Sequence, residues 1–304
     1  MICAVLHLGT VDYGTGLRLQ NSLVELRKSG AISDVLLLLE HSPVITLGRN
    51  ASQKNLLASA DLLKKKSVEL FESNRGGDIT FHGPGQLVGY PIFDLRGFSP
   101  RLGAVEFVRR VEEALIRTCG DLGIPSERIC GLTGVWTQGT NPQSCSVTAS
   151  QPEEAKPEDQ QVSASEQRKI AAIGVHISRG VTSHGFALNV TTDLDFFKLI
   201  VPCGISDRPV TSIAQELAGS PVPSMEAVSN SVSLNFGRVF ARQMLWLESL
   251  EALLSTGETS EDGADDGDPS NTIGVPLQVP RNLREVRREQ KAPQLGSEDE
   301  VSLA

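Results

Sequence analysis

Five consecutive aliphatic residues, Val35 to Leu39, stand between Asp34 and Glu40. A membrane-spanning helix needs about 20 apolar residues. This run is far too short for that, and no other stretch approaches the length. A short continuous apolar run bounded by charges and by a turn signal (His41-Ser42-Pro43) reads as a buried strand. The chain must therefore build a sheet with enough cover to bury that strand, and the neighbouring patterns supply it. Leu19, Leu23 and Leu26 fall on one helical face. Val44 to Leu47 and Val68 to Phe71 read as further short strands, and Leu56 to Lys66 as a short helix. Ala104, Phe107, Val108, Val111, Ala114, Leu115 and Thr118 follow the i, i+3, i+4, i+7 rule and define a helix.

The pattern breaks at residues 138–167, which are rich in Ser, Gln, Pro and Glu. Such a segment cannot bury enough apolar surface to offset the entropy of ordering, so a disordered insertion is expected. It separates two strand-like segments, Thr133–Thr137 and Lys169–Ile177. Closing a longer loop costs little more than closing a short one, so both segments can belong to one domain. His184 to Val190 reads as another strand, and Met225 to about Leu253 as a helix. Residues 251–304 read as an acidic, disordered tail. The expected organisation is one domain over 1–250, interrupted at 138–167, followed by that tail.

Charge follows the same division. The chain carries −9 overall, yet the insertion holds −4 and the tail −7, which leaves +2 for the body. That is far too little to argue for nucleic acid. The five cysteines, Cys3, Cys119, Cys130, Cys145 and Cys203, are odd in number and contain no C-x-x-C pair, so neither a disulfide framework nor a zinc ribbon is expected. The first residues run directly into a strand pattern and lack the features of a secretory signal.

Three segments carry chemistry. Arg75-Gly76-Gly77-Asp78-Ile79-Thr80-Phe81-His82-Gly83-Pro84-Gly85 holds four glycines, an arginine and a histidine. Glycine lets a backbone approach a ligand closely, arginine anchors charge, and histidine can donate a hydrogen bond or a proton. The same residues suit a Gly-rich turn between strands with a structural histidine. Neither G-x-G-x-x-G nor the P-loop pattern is present. Lys169 precedes the apolar run Ile170 to Ile173. A lysine drawn toward a core either snorkels to water or finds an anionic partner. Finally, Cys203 lies in Val201-Pro202-Cys203-Gly204, a turn. Most free cysteines are buried and inert, but a turn offers the exposure that reactivity requires. Cys119 falls on the apolar side of a helix, Cys3 in the first strand and Cys145 in the insertion. Cys130 lies in a loop and remains open. A lysine ammonium beside a thiol would stabilise the nucleophilic thiolate. Spacing alone does not say whether Lys169 reaches Cys203.

Four stretches in this order, RGGDITFHGPGQLVGYPIFDLR (75–96), GVW (134–136), RKIAAIGVHISRGVTSHGFALNV (168–190) and DLDFFKLIVPCGISDRPVTSI (193–213), resemble the octanoyl/lipoyl transferase family. The likeness covers about residues 2–245. It implies an α/β (α+β) fold related to biotin and lipoate ligases: a mixed, mostly antiparallel sheet flanked by helices. It implies acyl transfer in two steps, with no cofactor or metal. Cys203 would take an octanoyl group from octanoyl-acyl carrier protein. A lysine of an apo lipoyl domain, in dehydrogenase complexes or the glycine cleavage H protein, would then accept it. Lys169 matches the partner of the nucleophile. Arg75 to His82, Ala172, Ile173, Gly174, Gly185, Phe186 and Ala187 match the substrate-contacting segments. Ile79, Phe81, Ile173 and Phe186 are expected to line an apolar slot, and the backbone of Gly77, Gly185 or Gly204 to meet an oxyanion. The likeness also implies a monomer without membrane association. Its location would be the mitochondrial matrix, suggested by the low-complexity segments, or the cytoplasm of a bacterium. Lipoate ligases, the nearest rival, typically show H-D-x-G-N where this chain has His82-Gly83-Pro84-Gly85-Gln86, and they need no cysteine. A non-catalytic protein that docks carrier or lipoyl domains is the other alternative.

Overall fold

The computed structural model describes residues 1–137 and 167–255. In chain order the elements are β1 (Ile2–Val11), α1 (Tyr13–Ser29), β2 (Asp34–His41), β3 (Val44–Leu47), α2 (Ala60–Lys65), β4 (Glu69–Glu72), β5 (Ile79–His82), β6 (Gln86–Ile92), α3 (Ala104–Asp121), β7 (Ser126–Ile129), β8 (Leu132–Thr137), β9 (Lys169–Ser178), β10 (Val181–Asn189), α4 (Ile213–Glu216), α5 (Met225–Phe240), β11 (Gln243–Trp246) and α6 (Leu250–Ser255). Eight strands form one mixed sheet in the order β11-β1-β2-β6-β10-β9-β8-β7, and β4-β3-β5 form a second, smaller sheet. In the large sheet, β11, β1 and β2 run parallel, and every pairing from β2 onward to β7 is antiparallel. This is the mixed, mostly antiparallel sheet flanked by helices that was expected.

Val35 to Leu39 lies in β2, fully buried. Successive side chains of a strand face opposite ways, so a run buried throughout needs cover on both faces. Leu36 and Leu38, with Cys3 and Val5 of β1, join Phe107, Val111 and Leu115 of α3 and Val232, Phe236 and Phe240 of α5. Val35, Leu37 and Leu39, with Ala4 and Leu6, meet Leu19 and Leu23 of α1 and Leu253 of α6 on the other side. A third cluster, formed by Ile45, Ile79, Phe81, Phe197, Leu199 and Ile200, backs the small sheet.

Several expectations shift. The two strands around His41-Ser42-Pro43 form, but they belong to different sheets, so this turn carries the chain from one sheet to the other. The short helix begins at Ala60, where the Ser59 side chain accepts a hydrogen bond from the Leu62 N–H. Residues 225–253 do not form one helix. Ala241 adopts a left-handed conformation (φ 51°) and ends α5, its N–H bonding to Gly237 O. Arg242 then reaches Asp34 at 3.0 Å, and β11 continues as an edge strand parallel to β1. Apolar periodicity cannot register such a stop, because alanine rather than glycine occupies it. Residues 138–166 and 256–304, which hold nearly all of the expected insertion and tail, lie outside the described residues. Gln167 is ordered against Glu127, and α6 buries Leu253, so described structure extends slightly into both ranges.

Candidate active site

Lys169 opens β9, and neighbouring backbone fixes it. Its N–H donates to Pro209 O (2.9 Å), and its carbonyl accepts from the Thr211 N–H (2.9 Å). Gly134 of β8 sits at φ 131°, a conformation that side chains resist; a Cβ there would stand 2.7 Å from Lys169 Cε. The glycine thus leaves a channel for the lysine stem. The side chain, 6% exposed, passes the buried Trp136 ring, with Nζ 5.1 Å from the ring centroid. Its Nζ ends 3.2 Å from Cys203 Sγ, close enough to donate a hydrogen bond to the sulfur. Of the two fates open to a lysine entering a core, this one finds a partner.

Cys203 lies on a single 3₁₀ turn, Pro202–Gly204, and has φ 56° and ψ 19°. A non-glycine residue in this region is uncommon and strained, so its surroundings must hold it there. Residues 52–58 do so. Asn55 O accepts from the Val201 N–H at 2.7 Å, and Leu199 O accepts from the Leu57 and Ala58 N–H groups. Asp78 accepts from Asn55 Nδ2 (2.5 Å), the Ser52 N–H (3.1 Å) and the adjoining Ile79 N–H (2.7 Å). Its carboxylate is packed so close to Gly204 that a Cβ there would lie 2.9 Å from Oδ2. Asp78 therefore braces the turn that bears Cys203. Cys203 is partly exposed, whereas Cys3 and Cys119 are fully buried. Burial pushes the Cys119 thiol up to about 11 and that of Cys3 beyond the range in which a thiolate forms. Cys130 is exposed, but on the β7–β8 turn and not on the cavity wall. Cys145 lies outside the described residues.

Cys203 stands where two cavities meet. The first encloses about 470 Å³, open mouth included, between the face of β6, β9 and β10 and the 75–82 segment. Of the residues expected to contact substrate, Arg75, Gly77, Asp78, Thr80, His82, Ala172, Ile173, Gly174, Gly185, Phe186 and Ala187 line it. Gly76, Ile79 and Phe81 do not. Gly76 is laid on the edge of β9, with its N–H donating to Val175 O at 3.0 Å. That approach requires Gly174, whose Cβ would fall 2.6 Å from Gly76 O. Ile79 and Phe81 alternate with Thr80 and His82 along β5, so they point away from the cavity; Phe81 stacks on Phe196 at 4.7 Å. The second, much narrower, is lined by Lys169, Cys203, Gln86, Asn189, Phe197, Pro202 and Val210.

Polar groups along the first cavity are held in fixed roles. Arg75 is 7% exposed and donates to Thr46 O (2.7 Å), Thr46 Oγ1 and Gly76 O. Among the described residues no carboxylate pairs with it, and burial pulls its guanidinium below the usual arginine range. Its positive charge therefore faces the site, and Cys203 is among the groups that stabilise it. His82 Nδ1 donates to Gln86 Oε1 (2.8 Å), the amide being oriented by its own donation to Asn189 Oδ1 (2.9 Å). Burial, with His41 and Arg75 adding, pushes His82 down to about 3. It is a neutral hydrogen-bond link and does not carry an ionisable proton at neutral pH. Of the oxyanion candidates, the Gly204 N–H is already given to Val201 O (3.0 Å).

Sequence reading missed Tyr13, Val88, Tyr90 and His184 on the same wall. The signal for two of them was in the composition: the chain has only two tyrosines, and both line this cavity. Tyr90 donates to His41 Nε2 at 2.6 Å, and His184 Nε2 bonds to Asn74 Oδ1 at 2.6 Å. Burial holds His41 at about 4 and His184 at about 3.

Residues 12–237 match the lipoyl protein ligase A/B catalytic domain. An octanoyltransferase from Koribacter versatilis is 60% identical over 254 residues, covering 84% of this chain and 90% of its own length. One from Acidobacterium capsulatum is 57% identical over 259 residues, covering 84% and 96%. Both organisms are bacteria, so the expectation of a mitochondrial matrix enzyme has no support among these relatives. Among solved structures, the bipartite lipoate protein ligase of Thermoplasma acidophilum superposes with a TM-score of 0.58 at 16% identity, covering 84% of this chain and 91% of its own. An ATP-bound lipoate-protein ligase A gives 0.58 at 15%, covering 84% and 94%. These two show a shared fold. With the sequence identities above, they establish that this chain belongs to the lipoyl protein ligase A/B catalytic family, among its octanoyltransferases.

Proposed function

We propose that this protein transfers an octanoyl group from octanoyl-acyl carrier protein, through a thioester on Cys203, to a lysine of apo lipoyl domains. The observation that carries the reading is the 3.2 Å approach of Lys169 Nζ to a partly exposed sulfur at the mouth of a largely apolar cleft. In the first half-reaction, Lys169 takes the Cys203 thiol proton and the sulfur attacks the thioester carbonyl. The carbon–sulfur bond to the carrier breaks, and the ammonium of Lys169 returns the proton to the departing thiol. In the second, the acceptor amine attacks the Cys203 thioester, Lys169 takes the amine proton, and the proton goes back to the sulfur. Arg75 and the Lys169 ammonium favour negative charge on sulfur and on the tetrahedral oxygen. Ala172, Ile173, Phe186, Ala187 and Val88 offer the acyl chain an apolar wall.

The acceptors would be lipoyl domains of dehydrogenase complexes and the glycine cleavage H protein. Residues 1–250 would act as one catalytic domain and as a monomer, with 138–167 and 251–304 as appendages. The bacterial relatives favour the cytoplasm.

Intact-protein mass spectrometry after mixing with octanoyl-carrier protein tests the reading. Wild type should gain ~126 Da, the mass of an octanoyl group replacing a proton under thioester catalysis, and Cys203→Ala should not. Addition of apo lipoyl domain should discharge the adduct without ATP. A wild type that takes up no octanoyl group, or one whose product forms only with ATP, would exclude this mechanism.

A further inference from the structure

A thioester attacked by Cys203 carries two substituents, the acyl chain and the leaving thiol, which diverge from its carbonyl carbon, and each needs its own path. The acyl chain occupies one cavity, so the departing thiol and whatever carries it need a second route. The chain provides one. The cavity around Lys169 and Cys203 shares Phe197, Pro202 and Val210 with an open surface groove of about 900 Å³, solvent space included. This groove is lined by residues of 194–201 and 202–215, among them Ser206, Gln215, Arg208 and Lys198. Its lining combines apolar side chains (Phe197, Pro202 and Val210) with hydrogen-bonding and cationic ones (Ser206, Gln215, Arg208 and Lys198).

Resting on the function proposed above, we propose that this groove seats the phosphorylated thiol arm of the carrier thioester, with Arg208 as the contact for its phosphodiester. Lys198 is already engaged by Asp195 at 2.6 Å, whereas among the described residues no carboxylate pairs with Arg208. The Arg208 guanidinium stands over Trp136, 5.8 Å from the centroid of the ring that also flanks Lys169, and one nitrogen bonds to Gln167 Oε1. Its Nε is buried and lacks a partner. A guanidinium so placed is pre-oriented and has donors left for an anion. The arm itself combines amides with one phosphate, and the groove offers it both hydrogen-bonding side chains and an arginine. The step is balanced: the Cys203 sulfur bonds to the acyl carbon, the bond from that carbon to the arm sulfur breaks, and the arm leaves along the groove as a thiol carrying the proton from Lys169.

Cys203 acylation is measured by intact mass with three octanoyl donors: the carrier protein, the coenzyme A thioester and the N-acetylcysteamine thioester, which lacks a phosphate. For Arg208→Glu, the ratio of kcat/KM for either phosphate-bearing donor to that for the phosphate-free one should fall about tenfold, and Arg208→Lys should restore most of it. Ser206→Trp, which fills the exposed groove, should slow both phosphate-bearing donors. Arg110→Glu, on the outer face of α3, serves as the control and should change none of the three. An equal loss with all three donors would make Arg208 a support for the loop and overturn the proposal. So would a loss confined to the carrier protein, which would place the contact on the protein surface and not on the arm, or a loss confined to discharge onto the lipoyl domain. Absence of acylation of wild type by every donor would overturn the catalytic reading itself, a result separate from any change in donor ratio.

Discussion

In the mechanism proposed above, Lys169, whose Nζ stands 3.2 Å from the Cys203 sulfur, has opposite tasks in the two half-reactions, protonating a leaving thiol in the first and accepting a proton from an amine in the second. For Lys169→Ala we expect acylation slowed by about 10²–10⁴ at neutral pH and partly restored as pH rises and hydroxide generates the thiolate. A rate profile unchanged across pH would remove the lysine from the mechanism. Gly134→Ala should act on the same atom from behind. Its Cβ would press on Lys169 Cε and on Ala171 O, at 2.7 and 2.6 Å, so the acylation rate should fall at least about tenfold, with a stability loss of about 1–3 kcal/mol. A variant that folds and acylates normally would refute the channel. Cys203 and Lys169 were both legible in the sequence as residue types in suggestive settings. Their meeting was not, because 34 residues separate them and a cross-connection through Pro209 and Thr211 closes the distance.

At the scale of elements, β5 divides its side chains between two environments. Thr80 and His82 serve the cavity while Ile79 and Phe81 hold the small sheet to the 194–200 segment. The parity of a four-residue strand depends on its register with β3, which no local pattern supplies, so the sequence suggested all four as substrate contacts. Phe81→Ala should cost about 3–5 kcal/mol by the loss of a buried aromatic, and it should slow acylation by loosening the turn that bears Cys203. A full-rate, fully stable variant would show that the small sheet does not position the sulfur. The strands also gather three buried histidines, His41, His82 and His184, held down at about 4, 3 and 3 by burial. A folded value below the unfolded one means that unfolding takes up protons, so stability is complete above pH ~6.5 and falls as pH drops toward 4. With three such groups the slope approaches about 4 kcal/mol per pH unit near pH 5. Urea unfolding at pH 7, 6 and 5 measures it. An unfolding free energy that stays constant over this range would contradict neutral burial.

For the whole molecule, the strand pattern, both main helices and the sheet they cover were legible because apolar periodicity reports burial directly. The second sheet was not, since β3 looks like a continuation of β2 until its partners are known. Thr137 and Arg168 are joined at 2.8 Å, Thr137 N–H to Arg168 O, so the described chain closes on itself where residues 138–166 depart. Replacing those residues by a short Gly/Ser turn should therefore leave the melting temperature within about 3 °C and the transfer rate within about twofold. A collapse of either would give the segment a role in the fold. The sulfur and the ammonium have separate foundations: Lys169 grows from the eight-stranded sheet, while Cys203 rides on a turn braced by Asp78 and Asn55 beside the three-stranded one. Their separation is thus a gauge of how one layer sits upon the other. A slide of an ångström between the layers would part the two side chains without unfolding any strand, and under the proposed mechanism a carrier or acceptor that grips both layers would set that separation.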